Sequence, residues 1–263
     1  MHFGKMVGAA VALLLYTLPV AAADTLQTIR DRGRILVAID ISHPPYGMLD
    51  DKAQETGSDV ETAKLLAKDL GVKLEIVPVS GANRVPFLLS KKADIVIASF
   101  SITDERKRVI NYSKPYGVIP VVIAAPASEK ITQAADLAGK AIAVARGTTA
   151  DIELTRLVKG VSGVNIVRYE DESTTNTAVA TGQQKILAAA LSTANSMKES
   201  NPDKKLEISL TMNDYPMAIG LRKDDPQLQE WIDKWITDNL ANGELNKIYK
   251  KYYGMDLPEN IKG

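Results

Sequence analysis

The sequence contains no cysteine, which excludes disulfides, thiolate metal sites and cysteine nucleophiles, and also the acylated cysteine that tethers many exported proteins. Histidine is almost absent: there are two in 263 residues, and only His43 lies beyond the first 23. No second histidine or cysteine exists to build a transition-metal cluster, so neither a metal nor a cofactor is expected. A surplus of charge is missing as well, because 32 Lys+Arg balance 32 Asp+Glu. Phosphate-binding surfaces need a basic surplus or stripe, so nucleic acid is excluded as a partner. The one long apolar run, from Val7 to Leu18, is shorter than the roughly 20 residues of a membrane-spanning helix.

That run follows Lys5 and precedes Ala21-Ala22-Ala23, the layout of a cleaved export signal over residues 1–23. Removing it leaves 240 residues with 31 Lys+Arg against 32 Asp+Glu, enough for one large domain or two lobes. A free periplasmic protein is the expected product.

Arg34 to Ile39 reads as a buried strand after an amphipathic segment, Thr25 to Arg32. Ser58 and Glu61 have the spacing of a capping box before a helix that Gly71 stops, and Lys73 to Val79 alternates as a strand. A short helix from Asn83 to Ser90 and a strand from Ala93 to Ser99 complete a parallel α/β unit. After the β-rich stretch Val118 to Ala125 the pattern restarts with a strand at Ala141 to Ala145 and a helix near Thr149. A strand at Val164 to Val167 and a helix at Thr174 to Thr181 follow. Lys185 to Leu191 is either a strand or a buried helix, which periodicity leaves open. A strand at Ala218 to Leu221 precedes two helices, Leu228 to Leu240 and Glu244 to Tyr252, the first of which buries Trp231 and Trp235. Two α/β units in tandem predict two lobes: residues 24–117, then 118–217, with 218–263 returning to the first. Ligands bind beyond the carboxyl ends of such strands, so two facing edges make a cleft.

Three segments at those edges could carry chemistry. Ser99 and Ser101 lie at a strand end, Thr103 caps the next helix, and Arg106 sits in its first turn, where a cation opposes the helix dipole. A bound carboxylate, gripped by the guanidinium and the hydroxyls, would account for it; a solvated basic patch with Lys107 and Arg108 is the alternative. Arg146-Gly147-Thr148-Thr149 repeats the arrangement in the second unit, with either threonine able to cap the following helix. Asp40, His43 and Tyr46 follow the first strand and could contact a ligand side chain. Ser101 has no evident base, and no catalytic residue is expected.

Over Asp24 to Pro258 the chain resembles the periplasmic amino-acid-binding proteins, the group with histidine- and lysine/arginine/ornithine-binding members. The motifs are Thr56 to Gly71, Ser101 to Lys107 (SITDERK), Asn111 to Tyr116 (NYSKPY), Arg146 to Thr149 (RGTT) and the Gly243 to Gly254 ending. The resemblance implies a two-lobed type II periplasmic-binding-protein fold with the ligand cleft between lobes. It implies that Arg106 grips the α-carboxylate, assisted by Ser99 and Thr149, and that Asp40, His43 and Tyr46 meet the ligand side chain. Asn83, Arg84 and Tyr215 complete the expected site. Two departures stand out. Gly81 occupies the place of a stacking aromatic, and the stretch Gly182 to Leu191 lacks the aspartate that usually receives the α-ammonium. Asp40, Asp214 or backbone carbonyls could replace it, or the ligand could lack an amine.

The function expected from the resemblance is that of the binding component of an ABC importer. Such a chain acts as a monomer that closes on an amino acid or related small carboxylate and docks on an inner-membrane permease. Its hinges would lie near Tyr116 to Ile119 and Tyr215 to Ala218. Enzymes resembling cyclohexadienyl dehydratase share this fold and need an acid in the second lobe. A ligand sensor without transport would use the same clamp.

Overall fold

The structure is a computed structural model that describes residues 24–262. The expected export signal lies outside the described residues. The first unit runs through α1 (Thr25–Arg32), β1 (Arg34–Ile39), the hairpin β2 (Met48–Leu49) and β3 (Glu55–Thr56), α2 (Ser58–Leu70), β4 (Lys73–Pro78), α3 (Arg84–Leu89), β5 (Ile95–Val96), α4 (Asp104–Lys107) and β6 (Asn111–Tyr112). The second comprises β7 (Gly117–Pro126), β8 (Ala141–Ala145), α5 (Thr149–Leu157), β9 (Asn165–Tyr169), α6 (Glu172–Ala180), β10 (Ile186–Ala190), α7 (Leu191–Ser200) and β11 (Leu206–Met217). β12 (Gly220–Leu221), α8 (Pro226–Ala241), α9 (Glu244–Tyr253) and α10 (Glu259–Lys262) finish the described chain.

Two five-stranded sheets repeat one plan. The first has the order β4-β1-β5-β12-β6, the second β9-β8-β10-β7-β11. In each, the strand just outside the parallel trio is antiparallel to both its neighbours: β12 against β5 and β6, β7 against β10 and β11. β12 returns to the first sheet after the chain has built the second, and β7 enters the second from the first. The two sheets form the cores of the two lobes of a type II binding-protein fold. The central strands are apolar on both faces because helices cover both. Ile35, Val37 and Ile39 of β1 and all five residues of β10 are buried, each fully buried aliphatic being worth about 1.5–3 kcal/mol. The segment that periodicity left open is thus a strand.

The expected capping box of α2 does not form. Gly57 is the N-cap, and a Cβ there would lie 2.2 Å from the Tyr46 carbonyl oxygen. Ser58 and Glu61 turn instead to α9: Ser58 Oγ lies 2.6 Å from Tyr253 Oη, and Tyr252 Oη donates to Glu61 Oε1 at 2.7 Å. These tertiary partners replace the local cap. Gly71 ends the helix as expected, in the left-handed region at φ 76°. Trp235 is buried and its indole N–H donates to Asp69 Oδ2 at 2.8 Å, whereas Trp231 is only half-buried. The long strand β11 was not anticipated. It pairs with β7 in ten registers from Leu206–Pro126 to Met217–Gly117, so both chain crossings between sheets run as one antiparallel ribbon.

Candidate ligand-binding site

The carboxyl ends of β1, β5, β8 and β10 converge on a small cavity between the sheets, with about 20 Å³ of free room. Residues just beyond β1 and β5 contribute His43, Ser99 and Ser101, and α3 contributes Arg84. From the other side come Thr148, Thr149 and Ala150 at the start of α5, Glu172 at the start of α6, and Ala190 at the end of β10. Ile119 and Val121 of β7 supply apolar wall.

Local sequence explains these positions. Thr148 is the N-cap of α5, its hydroxyl accepting from the Asp151 N–H at 3.2 Å, which leaves the first-turn N–H groups of a nine-residue helix at the cavity. Gly147 takes φ 71°, and a Cβ there would lie 2.9 Å from Ala82 Cα of the opposite lobe. Gly81 answers it: its Cβ would lie 2.7 Å from the Arg146 carbonyl oxygen. Two glycines thus let the lobes meet backbone to backbone. Ser99 holds φ 40°, a costly conformation for a side-chain-bearing residue, and its N–H donates to Asp59 Oδ2 at 2.6 Å.

The cavity wall carries opposite charges and unpaired polar atoms. Arg84, 2% exposed, donates from Nη2 to Asp40 Oδ2 at 2.9 Å, but its Nε has no partner. Burial acts to raise the Asp40 pKa; Arg84, His43 and the Ser42 hydroxyl outweigh it and hold the carboxyl below its usual range. Ser101 Oγ and Glu172 Oε2 are likewise buried without partners. Burial, reinforced by Asp40 and Asp171 and opposed by Arg84, pushes Glu172 up to about 8. His43 links the lobes, with Nε2 2.8 Å from Thr193 Oγ1 and 3.6 Å from Glu172 Oε1, and Nδ1 3.2 Å from Ser99 Oγ. Burial lowers its pKa to about 3, with Asp40 opposing and Arg84 assisting, so the ring is neutral near pH 7.

Of the residues expected at the site, His43, Arg84, Ser99, Ser101, Thr148 and Thr149 line the cavity. Asp40 stands behind it as the partner of Arg84. Arg106 lies beside it, stacked 4.5 Å over Phe100, donating to the Ser101 carbonyl at 3.0 Å and across the cleft to the Gly147 carbonyl at 3.3 Å. It is buried rather than part of a solvated patch; burial lowers its pKa to about 10, which leaves it charged. Tyr46 faces a different recess and takes a 2.7 Å hydrogen bond from Ser192. Tyr215 is buried against Glu153. Asn83 and Arg146 are exposed, the latter 3.4 Å from Glu170. Asp214, offered as a substitute acid, is exposed on β11. The residue that sequence reasoning missed is Glu172.

Known proteins agree with this architecture. A family profile described as bacterial extracellular solute-binding proteins, family 3, matches residues 35–255. The L-cystine-binding protein TcyJ of Escherichia coli (strain K12) is 29% identical over 88% of this chain and 87% of its own length. Among solved structures, a mutant of ArgBP from T. maritima superposes with a TM-score of 0.80 at 30% identity, covering 88% of this chain and all of the other. The ancestral amino acid-binding protein AncCDT-1, a precursor of cyclohexadienyl dehydratase, gives 0.80 at 28% identity over 87% of this chain and 99% of its own. With two sheets on one plan, a polar cavity between them and a profile match over most of its length, the chain belongs to the bacterial extracellular solute-binding proteins of family 3.

Proposed function

We propose that this protein captures an amino acid or a closely related small carboxylate in the cavity between its lobes and presents it, from the periplasm, to an ABC permease. The observation that carries this reading is the set of buried, unpartnered polar atoms at the cavity, donor and acceptors alike: Arg84 Nε, Ser101 Oγ and Glu172 Oε2. Each unsatisfied buried group costs on the order of 1–3 kcal/mol, a cost that a zwitterionic ligand removes. A carboxylate would lie against Arg84 and the first turn of α5, where N–H groups and the helix dipole favour an anion. Residues 24–117 and 218–263 would form one lobe and 118–217 the other, hinging where β7 and β11 cross between sheets. The relatives, a cystine-binding protein and an amino acid-binding ancestor, support an amino acid over a sugar or metal.

Thermal-shift screening against amino acids and small carboxylates tests the reading. A ligand at 100 times its Kd adds about 2.7 kcal/mol, a rise of roughly 5–10 °C for a chain of this size. No shift with any of them would overturn it. Loss of permease-dependent uptake in cells lacking this protein separates transport from sensing. A second reading, that of a dehydratase, is favoured by one observation: Glu172 is a second-lobe acid with a pKa near 8, able to donate a proton to a leaving hydroxyl. Release of water and an unsaturated product from a bound hydroxy acid would select it.

A further inference from the structure

The stretch Gly182 to Leu191, which lacks an aspartate, reaches the cavity at Ala190, which lines it with a methyl group only. On the same wall stands Glu172, first residue of α6, whose neighbour Asp171 performs the capping by accepting from the Thr174 N–H at 2.7 Å. Glu172 is therefore free of the cap. An acidic side chain in a helix's first turn ordinarily lies in solvent, yet this one is 2% exposed and turned into the cavity. Its surroundings offer little to an anion. His43 Nε2, at 3.6 Å, is nearer to Thr193; Arg84 is engaged with Asp40; Asp171 and Asp40 add negative charge. Oε2 has no partner at all. A buried carboxyl without a cation of its own keeps its proton, and it ionises only when something positive arrives.

We propose that Glu172 receives the ligand's ammonium, taking from a different helix the role that an acidic residue at position 190 would fill. Building on the binding reading above, this assigns the ligand class more narrowly: an α-amino acid bound as a zwitterion, with its carboxylate towards Arg84 and α5 and its amine towards α6. Ser101 Oγ, unpartnered on the same cavity, offers a second acceptor for one of the three ammonium N–H groups.

The test pairs each amino acid with its des-amino analogue: L-cysteine with 3-mercaptopropionate, L-glutamine with glutaramate, L-arginine with 5-guanidinopentanoate. Calorimetry compares the unmodified protein with Glu172→Gln, a nearly isosteric change. The variant should lose at least about 30-fold in affinity for the bound amino acid, as expected when a buried charge loses its counter-ion, and stay within about threefold for the analogue. Adding Ala190→Asp to Glu172→Gln should recover amino-acid binding, which a merely misfolded variant could not show. Equal effects on both ligands, or none, would overturn the assignment while leaving amino-acid binding intact. Tighter binding of the analogue by the unmodified protein would overturn it in favour of an amine-free carboxylate. Binding of neither class would remove this inference and the function together.

Discussion

At the scale of single residues, the site depends on acids that water never reaches. Asp59 is 1% exposed and accepts the Ser99 N–H; burial pushes it up to about 7, with that bond and Arg84 opposing and Asp40 reinforcing. Its folded pKa exceeds its unfolded one, so the stability it permits is full below about pH 4 and declines as pH rises towards 7. Asp59→Asn keeps an oxygen for Ser99 and removes the ionisation, so the variant should gain on the order of a few kcal/mol at pH 8 relative to pH 4. Thermal melts across that range check it; an unchanged pH profile would show that Asp59 is not the group responsible. Arg106 acts differently, as a clasp between the Ser101 and Gly147 carbonyls. Arg106→Ala should weaken ligand binding by about 2–3 kcal/mol by calorimetry, and Arg106→Lys should recover only part, because ammonium lacks the planar fork. Six cavity residues were legible as strand-end hydroxyls, a histidine loop and a helix start. Glu172 was not, because the helix expected at Thr174 begins two residues earlier and takes Glu172 into its first turn. Recognising that β9 must also end at the cleft edge was the one available signal.

At the scale of elements, what the sequence hid was largely tertiary. The capping spacing at Ser58 and Glu61 is real, but α9, nearly 200 residues away, supplies tyrosine partners that no local pattern reveals. β11 alternates Leu206, Ile208, Leu210 and Met212 with polar residues, a strand signal that the flanking turn residues obscured. Gly81, legible only as a missing aromatic, proves to be a place where the second lobe's backbone comes close. Its φ lies outside the left-handed region, so alanine is conformationally acceptable and the penalty arises only where the lobes touch, 2.7 Å from the Arg146 carbonyl and 2.9 Å from Thr148 Cγ2. Gly81→Ala should therefore leave the melting temperature of the ligand-free protein within about 2 °C while weakening ligand affinity tenfold or more, since closure and binding are coupled. Unchanged affinity would mean that these backbones need not meet in the bound form.

At the scale of the whole molecule, few bonds hold the lobes together across the cleft. Among the described residues they include His43 to Thr193 and Glu172, Thr193 to the Pro44 carbonyl, Tyr46 to Ser192, Arg106 to Gly147 and the half-exposed Glu105–Arg156 pair, the last worth at most about 1 kcal/mol. Such a balance is readily tipped by whatever occupies the cavity, and by protons on the groups that closure buries. His43 is the group whose charged form the closed cleft disfavours. Around it stand Asp40 and Arg84 from its own lobe, Ser99 beneath, and Thr193 and Glu172 from the other. In the closed form burial takes the ring to about 3, and parting of the lobes, by removing Thr193 and Glu172, would move it back towards its ordinary value. Through His43 the closed form binds fewer protons, so this residue's contribution to closure is lost as pH falls below about 6.5; Glu172, raised to about 8 by burial, acts in the opposite sense unless a ligand's ammonium holds it ionised. Ligand affinity should be flat from pH 7 to 8 and fall about tenfold per unit below pH 6. His43→Gln, which cannot titrate, should abolish that fall while keeping a polar contact for Thr193. Calorimetric titrations at pH 5, 6, 7 and 8 on both proteins decide it: equal slopes would show that His43 does not carry the pH dependence of closure.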